Sequence, residues 1–170
     1  EGPKNVALAA EIADGWLPIF YSPRIATMYN EWLDEGFARP GARHTRETFE
    51  ICATAQVVVT DDRPAIMELM KPHLALYVGG MGAEGTNFHA DVYRRMGYAE
   101  VVDEVTKLFR SDRKDEAAKV IPDELVDDSA IVGDLAYVQE QIKAWEASGV
   151  TMMVVGARSP EQIRDLAALV

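Results

Sequence analysis

Four short apolar runs, each bounded by chain breakers and separated from the next by helical sequence, set the fold class of this chain. They are residues 15–20, 50–60, 129–133 and 151–156. The second is the longest, with Ile51, Cys52, Ala53, Ala55, Val57, Val58 and Val59. The fourth, Met152-Met153-Val154-Val155, is apolar on both faces, which predicts a strand covered on both sides. Helical spacing places Val6, Leu8, Ala9, Ile12 and Ala13 on one face, and Ile25, Met28, Tyr29, Trp32 and Leu33 on another over 23–36. Residues 62–78 and 134–148 repeat the pattern, and shorter helices are expected near 88–97, 99–110 and 113–119. Ser159-Pro160-Glu161-Gln162 announces a last helix with an N-cap, Pro at N1 and Gln at N3. The order α-β-α-β-(helical stretch)-β-α-β-α is that of parallel βα units. The chain is therefore read as one α/β domain, 1–170, with a helical insertion at about 62–127 between the second and third strands.

Four parallel strands do not close a barrel, which takes eight. No glycine-rich fingerprint follows any strand, as a doubly wound nucleotide fold would prefer. The opening helix has no strand before it and no initiator Met, which reads as the C-terminal half of a (β/α)8 TIM barrel made of four parallel βα units. Such a half leaves strand edges and an interior layer open. It calls for the N-terminal half of the barrel or a second copy in a homo-oligomer.

Seventeen basic against 28 acidic residues give a formal charge of −11, which argues against nucleic acid as a partner. Cys52 is the one cysteine, so there is no disulfide framework and no cysteine-rich metal site. No apolar run approaches the roughly 18 residues of a membrane span, and no signal peptide is visible, so a cytoplasmic protein is expected. His44, His73 and His89 lack metal-ligand spacing and read as surface or cap residues. Trp16, Trp32 and Trp145 read as core.

Gly2, Pro3, Lys4 and Asn5 form the foremost candidate site. A glycine turn entering a helix points free N–H groups, here with a lysine, at one spot suited to a phosphate or carboxylate. An ordinary helix cap is the alternative, and Glu1 beside the turn works against an anion. The loop at Gly156–Ser159 is the second choice for a phosphate. Barrel chemistry sits at strand C-terminal ends, which makes Tyr21 and Ser22 candidates for a pocket lining, with Gly156, Ala157 and Arg158 at the last strand. Asp61-Asp62 reads as a helix N-cap rather than a catalytic pair. Gly79-Gly80-Met81-Gly82 reads as a C-cap with a mobile loop, or as a lid over a substrate pocket with Met81 as a soft apolar contact. Arg94, Arg95, Arg110, Arg113 and Lys114 read as a solvated surface.

Gly2-Pro3-Lys4-Asn5, followed by Ala10-Glu11-Ile12-Ala13-Asp14-Gly15-Trp16-Leu17-Pro18, resembles the middle of luciferase-like monooxygenases, in particular the actinobacterial coenzyme F420-dependent oxidoreductases. Tyr77-Val78-Gly79-Gly80-Met81-Gly82, Ile121-Pro122-Asp123-Glu124-Leu125-Val126-Asp127 and Val132-Gly133 fit the same subgroup in the same order. The resemblance spans essentially the whole chain. It implies a (β/α)8 parent that moves hydride between reduced F420, or FMN, and a small organic substrate. In that family the opening turn holds the cofactor phosphate. Catalytic residues would lie largely in the first half, which is not in this chain. A non-catalytic remnant or flavin-binding subunit is the other functional class.

Overall fold

A computed structural model describes residues 2–83, 85–157 and 159–169. Glu1 and Arg158, both singled out in the sequence, lie outside them. The spine is β2 (Glu50–Val59), and every other strand among the described residues pairs with it in parallel. β1 (Gly15–Trp16) pairs at Glu50 and Ile51, β4 (Met152–Val155) at Cys52–Ala55, and β3 (Ala130–Gly133) at Gln56–Val59. The three ladders follow one another along β2 without sharing a position.

Three features depart from the sequence reading. β1 holds two residues rather than six, because Pro18 has no N–H to give a ladder. Leu17 is turned out to solvent and Phe20 goes into the core. Secondly, β4 lies beside β2, whereas a half-barrel in chain order would place it on β3. The Gly133 carbonyl faces β2, where it accepts from the Thr60 N–H at 2.8 Å, so the Val132 carbonyl faces the free edge. Arg63 Nη1 already donates to that carbonyl at 2.5 Å. Thirdly, β4 is not covered: Met152 is 54% exposed and Val154 44%. By register these two share a face with Cys52 and Thr54, and that face of the sheet carries no packed layer over β4.

Side chains of β2 alternate strictly, which divides the core in two. Ile51, Ala53, Ala55 and Val57 pack with α1 (Pro3–Ile12), α2 (Ala26–Phe37) and α8 (Leu135–Ala147) around Tyr29, Leu33 and Trp145. α1 and α2 cross so closely that a side chain on Gly36 would begin 2.1 Å from the Ala7 carbonyl oxygen. The second core joins Ala130 and Val132 to the helices between β2 and β3: α3 (Arg63–Ala75), α4 (Phe88–Arg95), α5 (Ala99–Arg110), α6 (Lys114–Val120) and α7 (Asp123–Asp127). α3 ends in a wider π-helical turn at Leu76–Gly80. The helix starts follow local sequence. Asp62 caps α3, Asp134 caps α8, and Ser159 accepts from the Gln162 N–H to cap α9 (Pro160–Ala167). No described helix is long and apolar enough to cross a membrane.

Candidate functional site

The end of the sheet where the strands finish opens into a cavity of about 740 Å³. Its floor is the inner face of β2, with Thr54, Gln56 and Val58. Ile19 and Phe20 enter from the segment after β1, and Gly156 and Ala157 from the turn after β4. α3 forms the far wall with Ile66, Leu69, Met70 and His73, continued by Tyr77. A groove of about 1070 Å³ on the other side of the sheet, between α8 and α9, is larger. It runs along the length of β4 between the two helices, and Lys143 and Glu146 are its charged lining residues among those described. Parallel α/β folds place chemistry at the carboxyl ends of strands, and the smaller cavity gathers residues that follow two of them, Ile19 and Phe20 after β1 and Gly156 and Ala157 after β4.

Tyr77 organises the wall of that cavity. Its ring lies 4.8 Å from His73, 5.0 Å from His89 and 5.2 Å from Phe20. The two histidines are sixteen positions apart, so spacing alone gave no sign of this meeting. Asn87 fixes the turn that brings them together, donating to the Tyr77 and Val78 carbonyls and accepting from the His89 and Ala90 N–H groups. Among the described residues no group of His, Cys, Asp and Glu could hold a metal ion.

The opening turn has the shape expected of it. Gly2 is the extended N-cap of α1, Pro3 is the first helical residue, and no acidic side chain stands in the first turn. The Gly2 carbonyl accepts from the Asn5 and Val6 N–H groups, both at 3.1 Å. Lys4 is exposed. Beside the turn comes a residue that the sequence reading left on a solvated surface: Arg95 Nη2 lies 4.0 Å from where a side chain on Gly2 would begin. Its neighbour Arg94 is tied to Asp103 at 2.7 Å, whereas Arg95 has no ion pair among the described residues. α1 leads into β1, so its N-terminus lies at the same end of the sheet as the cavity.

Tyr21, Ser22 and the glycine segment are placed otherwise than over this cavity. Tyr21 is buried on the helix side, its ring 5.7 Å from Tyr29 and its hydroxyl donating to the Ser148 carbonyl at 3.1 Å. Burial pushes that phenol up, against the Ser148 hydrogen bond. Ser22 is buried and donates to Asp128 Oδ1 at 2.6 Å. Gly79 and Gly80 are packed on Phe109 of α5, which would lie 2.6 and 2.5 Å from side chains there. Close packing, rather than a free hinge, explains these glycines; Met81 is exposed and lines neither the cavity nor the groove.

The sequence profile of luciferase-like monooxygenases matches residues 1–152. The chain belongs to that family. It is 79% identical, over all of its 170 residues, to a Mycobacterium tuberculosis protein provisionally named a coenzyme F420-dependent oxidoreductase, and covers 49% of that protein. It is 29% identical over 162 residues to the 5,10-methylenetetrahydromethanopterin reductase of Archaeoglobus fulgidus, covering 92% of this chain and 46% of that one. The chain thus spans about half the length of the curated relatives it matches. Among solved structures, the F420-dependent tetrahydromethanopterin reductase of Methanopyrus kandleri superposes with a TM-score of 0.71 at 21% identity, over 96% of this chain and 45% of its own. An F420-dependent secondary alcohol dehydrogenase in complex with an F420–acetone adduct superposes at 0.58 and 14% identity, over 95% of this chain and 42% of its own. Those likenesses establish a shared fold. The luciferase-like character was legible in the opening motif; the contacts of Arg95 with Gly2, of His73 with Tyr77 and of Asp128 with Ser22 were not, since each joins separate segments.

Proposed function

We propose that this chain forms the cofactor-tail and substrate-wall half of an F420-dependent oxidoreductase. In this reading the first half of a barrel covers the open inner face of β2 and β4. The observation that carries it is the convergence at Gly2–Asn5 of a helix N-terminus, Lys4 and Arg95 without an acidic residue in the first turn. The fit to a phosphate is chemical: backbone N–H groups, a macrodipole and two cations all favour an anion there. Gly2 lets the ligand reach the backbone: beyond its chain neighbours, the one described residue within 4 Å of the space its side chain would fill is Arg95. When bound, reduced F420 supplies a hydride to the substrate. The chain's own residues hold the tail at one end and shape the cavity at the other. The 79% identity to a protein provisionally named for F420 supports deazaflavin over FMN.

The test is equilibrium titration of F420 and of FMN against the full-length protein, followed by fluorescence. Saturable F420 binding, with turnover of the reduced cofactor on addition of substrate, is expected. Preferential binding of FMN would move the protein to the flavin-dependent branch, and binding of neither would leave a structural remnant.

A further inference from the structure

The two halves of the anion site belong to different cores. α1, which supplies the N–H groups at Gly2–Asn5, packs through Val6 and Ala10 in the core that holds Tyr29 and Leu33 of α2. α4, which supplies Arg95, packs through Ala90, Val92 and Tyr93 in the other. Arg95 itself is exposed, so burial of its own side chain does not put it beside Gly2. Whether its charge reaches the turn depends on where the end of α4 stands relative to α1.

Arg24 joins the two. It sits in the tight turn Pro23–Ile25 that leads directly into α2, and its neighbour Ile25 packs against both cores. Arg24 Nη2 donates at 2.9 Å to the carbonyl of Met96, the residue after Arg95. α4 closes at this point. Gly97 takes the left-handed conformation at φ 98°, the Tyr98 N–H bonds the Tyr93 carbonyl, and the Gly97 N–H bonds the Arg94 carbonyl. Such an ending satisfies carbonyls inside the helix and leaves the capping carbonyl to an outside donor, here Arg24. Asp128, itself buried, aims the guanidinium by accepting from both Nε and Nη2. It also accepts from the Tyr98 hydroxyl at 2.7 Å, so the turn after α4 is gripped on both sides of Gly97.

Resting on the F420 reading above, we propose that Arg24 and Asp128 are positioning residues for the anion site. Neither touches the ligand. By fixing the Met96 carbonyl they set where Arg95 leaves the end of α4, and so bring its charge to the Gly2 turn. Arg24→Lys keeps the charge but replaces the planar fork, which serves carboxylate and carbonyl together, with a single ammonium.

Fluorescence titration of F420 against the full-length wild-type protein, Arg24→Lys, Arg95→Ala and the double variant tests this. Arg24→Lys is expected to weaken F420 about two- to fivefold, and no more than Arg95→Ala does. In the Arg95→Ala background it should change affinity by less than about 1.5-fold, because the cation it positions is gone. Asp128→Asn, which keeps the shape without the charge, should show the same coupling. A merely structural loosening would instead lower affinity by the same factor in both backgrounds, and that result would overturn the proposal. So would Arg24→Lys without effect on a site that Arg95→Ala weakens, which leaves the anion site standing. Arg95→Ala without effect would refute the anion site at this turn and its positioning with it. A wild-type protein that binds no F420 would refute the cofactor reading. Calorimetric titration of the same variants with inorganic phosphate then decides the positioning role alone, and binding of neither overturns both.

Discussion

The Arg24 guanidinium grips the Asp128 carboxylate with two prongs, Nε to Oδ1 at 3.0 Å and Nη2 to Oδ2 at 2.5 Å. Ser22 and Tyr98 donate to the same carboxylate at 2.6 and 2.7 Å, and Arg24 also reaches the Met96 carbonyl at 2.9 Å. One buried acid thus ties the segment after β1, which feeds Ile19 and Phe20 into the cavity, to the helices between β2 and β3.

Replacing Asp128 with Ala strands three donors around a carboxylate-sized void. Breaking such a pair costs about 3–5 kcal/mol when both partners are buried, and less here because Arg24 is half exposed, so about 2–3 kcal/mol is expected. Urea denaturation of Asp128→Ala measures it; a loss under about 1 kcal/mol would mean the network is decorative. Burial alone would raise the Asp128 carboxyl, but its hydrogen bonds from Arg24, Ser22 and Tyr98 outweigh burial and hold it low. Its contribution is therefore complete above the ordinary Asp value of about 3.9 and fades as pH falls through the lower folded value. Asp128→Ala should remove that part of the acid transition.

Tyr98 gives the alkaline counterpart. Burial first, and then the Asp128 anion, push its phenol well above the ordinary range. The stability it contributes is present below the ordinary value of about 10 and is lost as pH rises beyond it. In a spectrophotometric titration Tyr98 should stay protonated until the protein unfolds, and Tyr98→Phe should leave the early, reversible amplitude unchanged.

Gly80→Ala drives a methyl group to 2.5 Å from the Phe109 Cε1, with Cζ at 3.0 Å behind it. Overpacking of this kind costs about 1–3 kcal/mol. Combining it with Phe109→Ala should recover much of the loss, and a double-mutant cycle measures the coupling. If the two losses simply add, the glycine serves something other than this contact.

At the opening turn, Lys4→Ala and Arg95→Ala should each weaken F420 binding by about 0.5–2 kcal/mol, as for one exposed charge near a helix N-terminus. Gly2→Val should do more by barring the backbone from the phosphate. Unchanged affinity in all three variants would move the phosphate to the loop before α9.

Cys52 lies in β2 on the face shared with Met152, and it is half-buried rather than enclosed. Thiol reagents should therefore label it in native buffer when residues 1–170 are studied alone, and more slowly in the full-length protein if a first half covers that face. Equal rates in both would argue that nothing packs there.

The sequence by itself determined whatever is settled within a turn or two of chain. Asp62, Asp134 and Ser159 cap helices where they stand, because a cap bonds an N–H only two or three residues ahead. The alternation of β2 and the family motif at Gly2–Asn5 are equally local. Tertiary structure decided what depends on competition between distant partners. β4 paired with β2 rather than with β3, and Arg63 reached the Val132 carbonyl. The meeting of His73 with His89 on Tyr77, of Arg95 with Gly2, and of Asp128 with Ser22, Arg24 and Tyr98 likewise has no trace in spacing. Each such contact joins segments whose approach is fixed only when the whole sheet and its helices pack, and no local propensity carries that information.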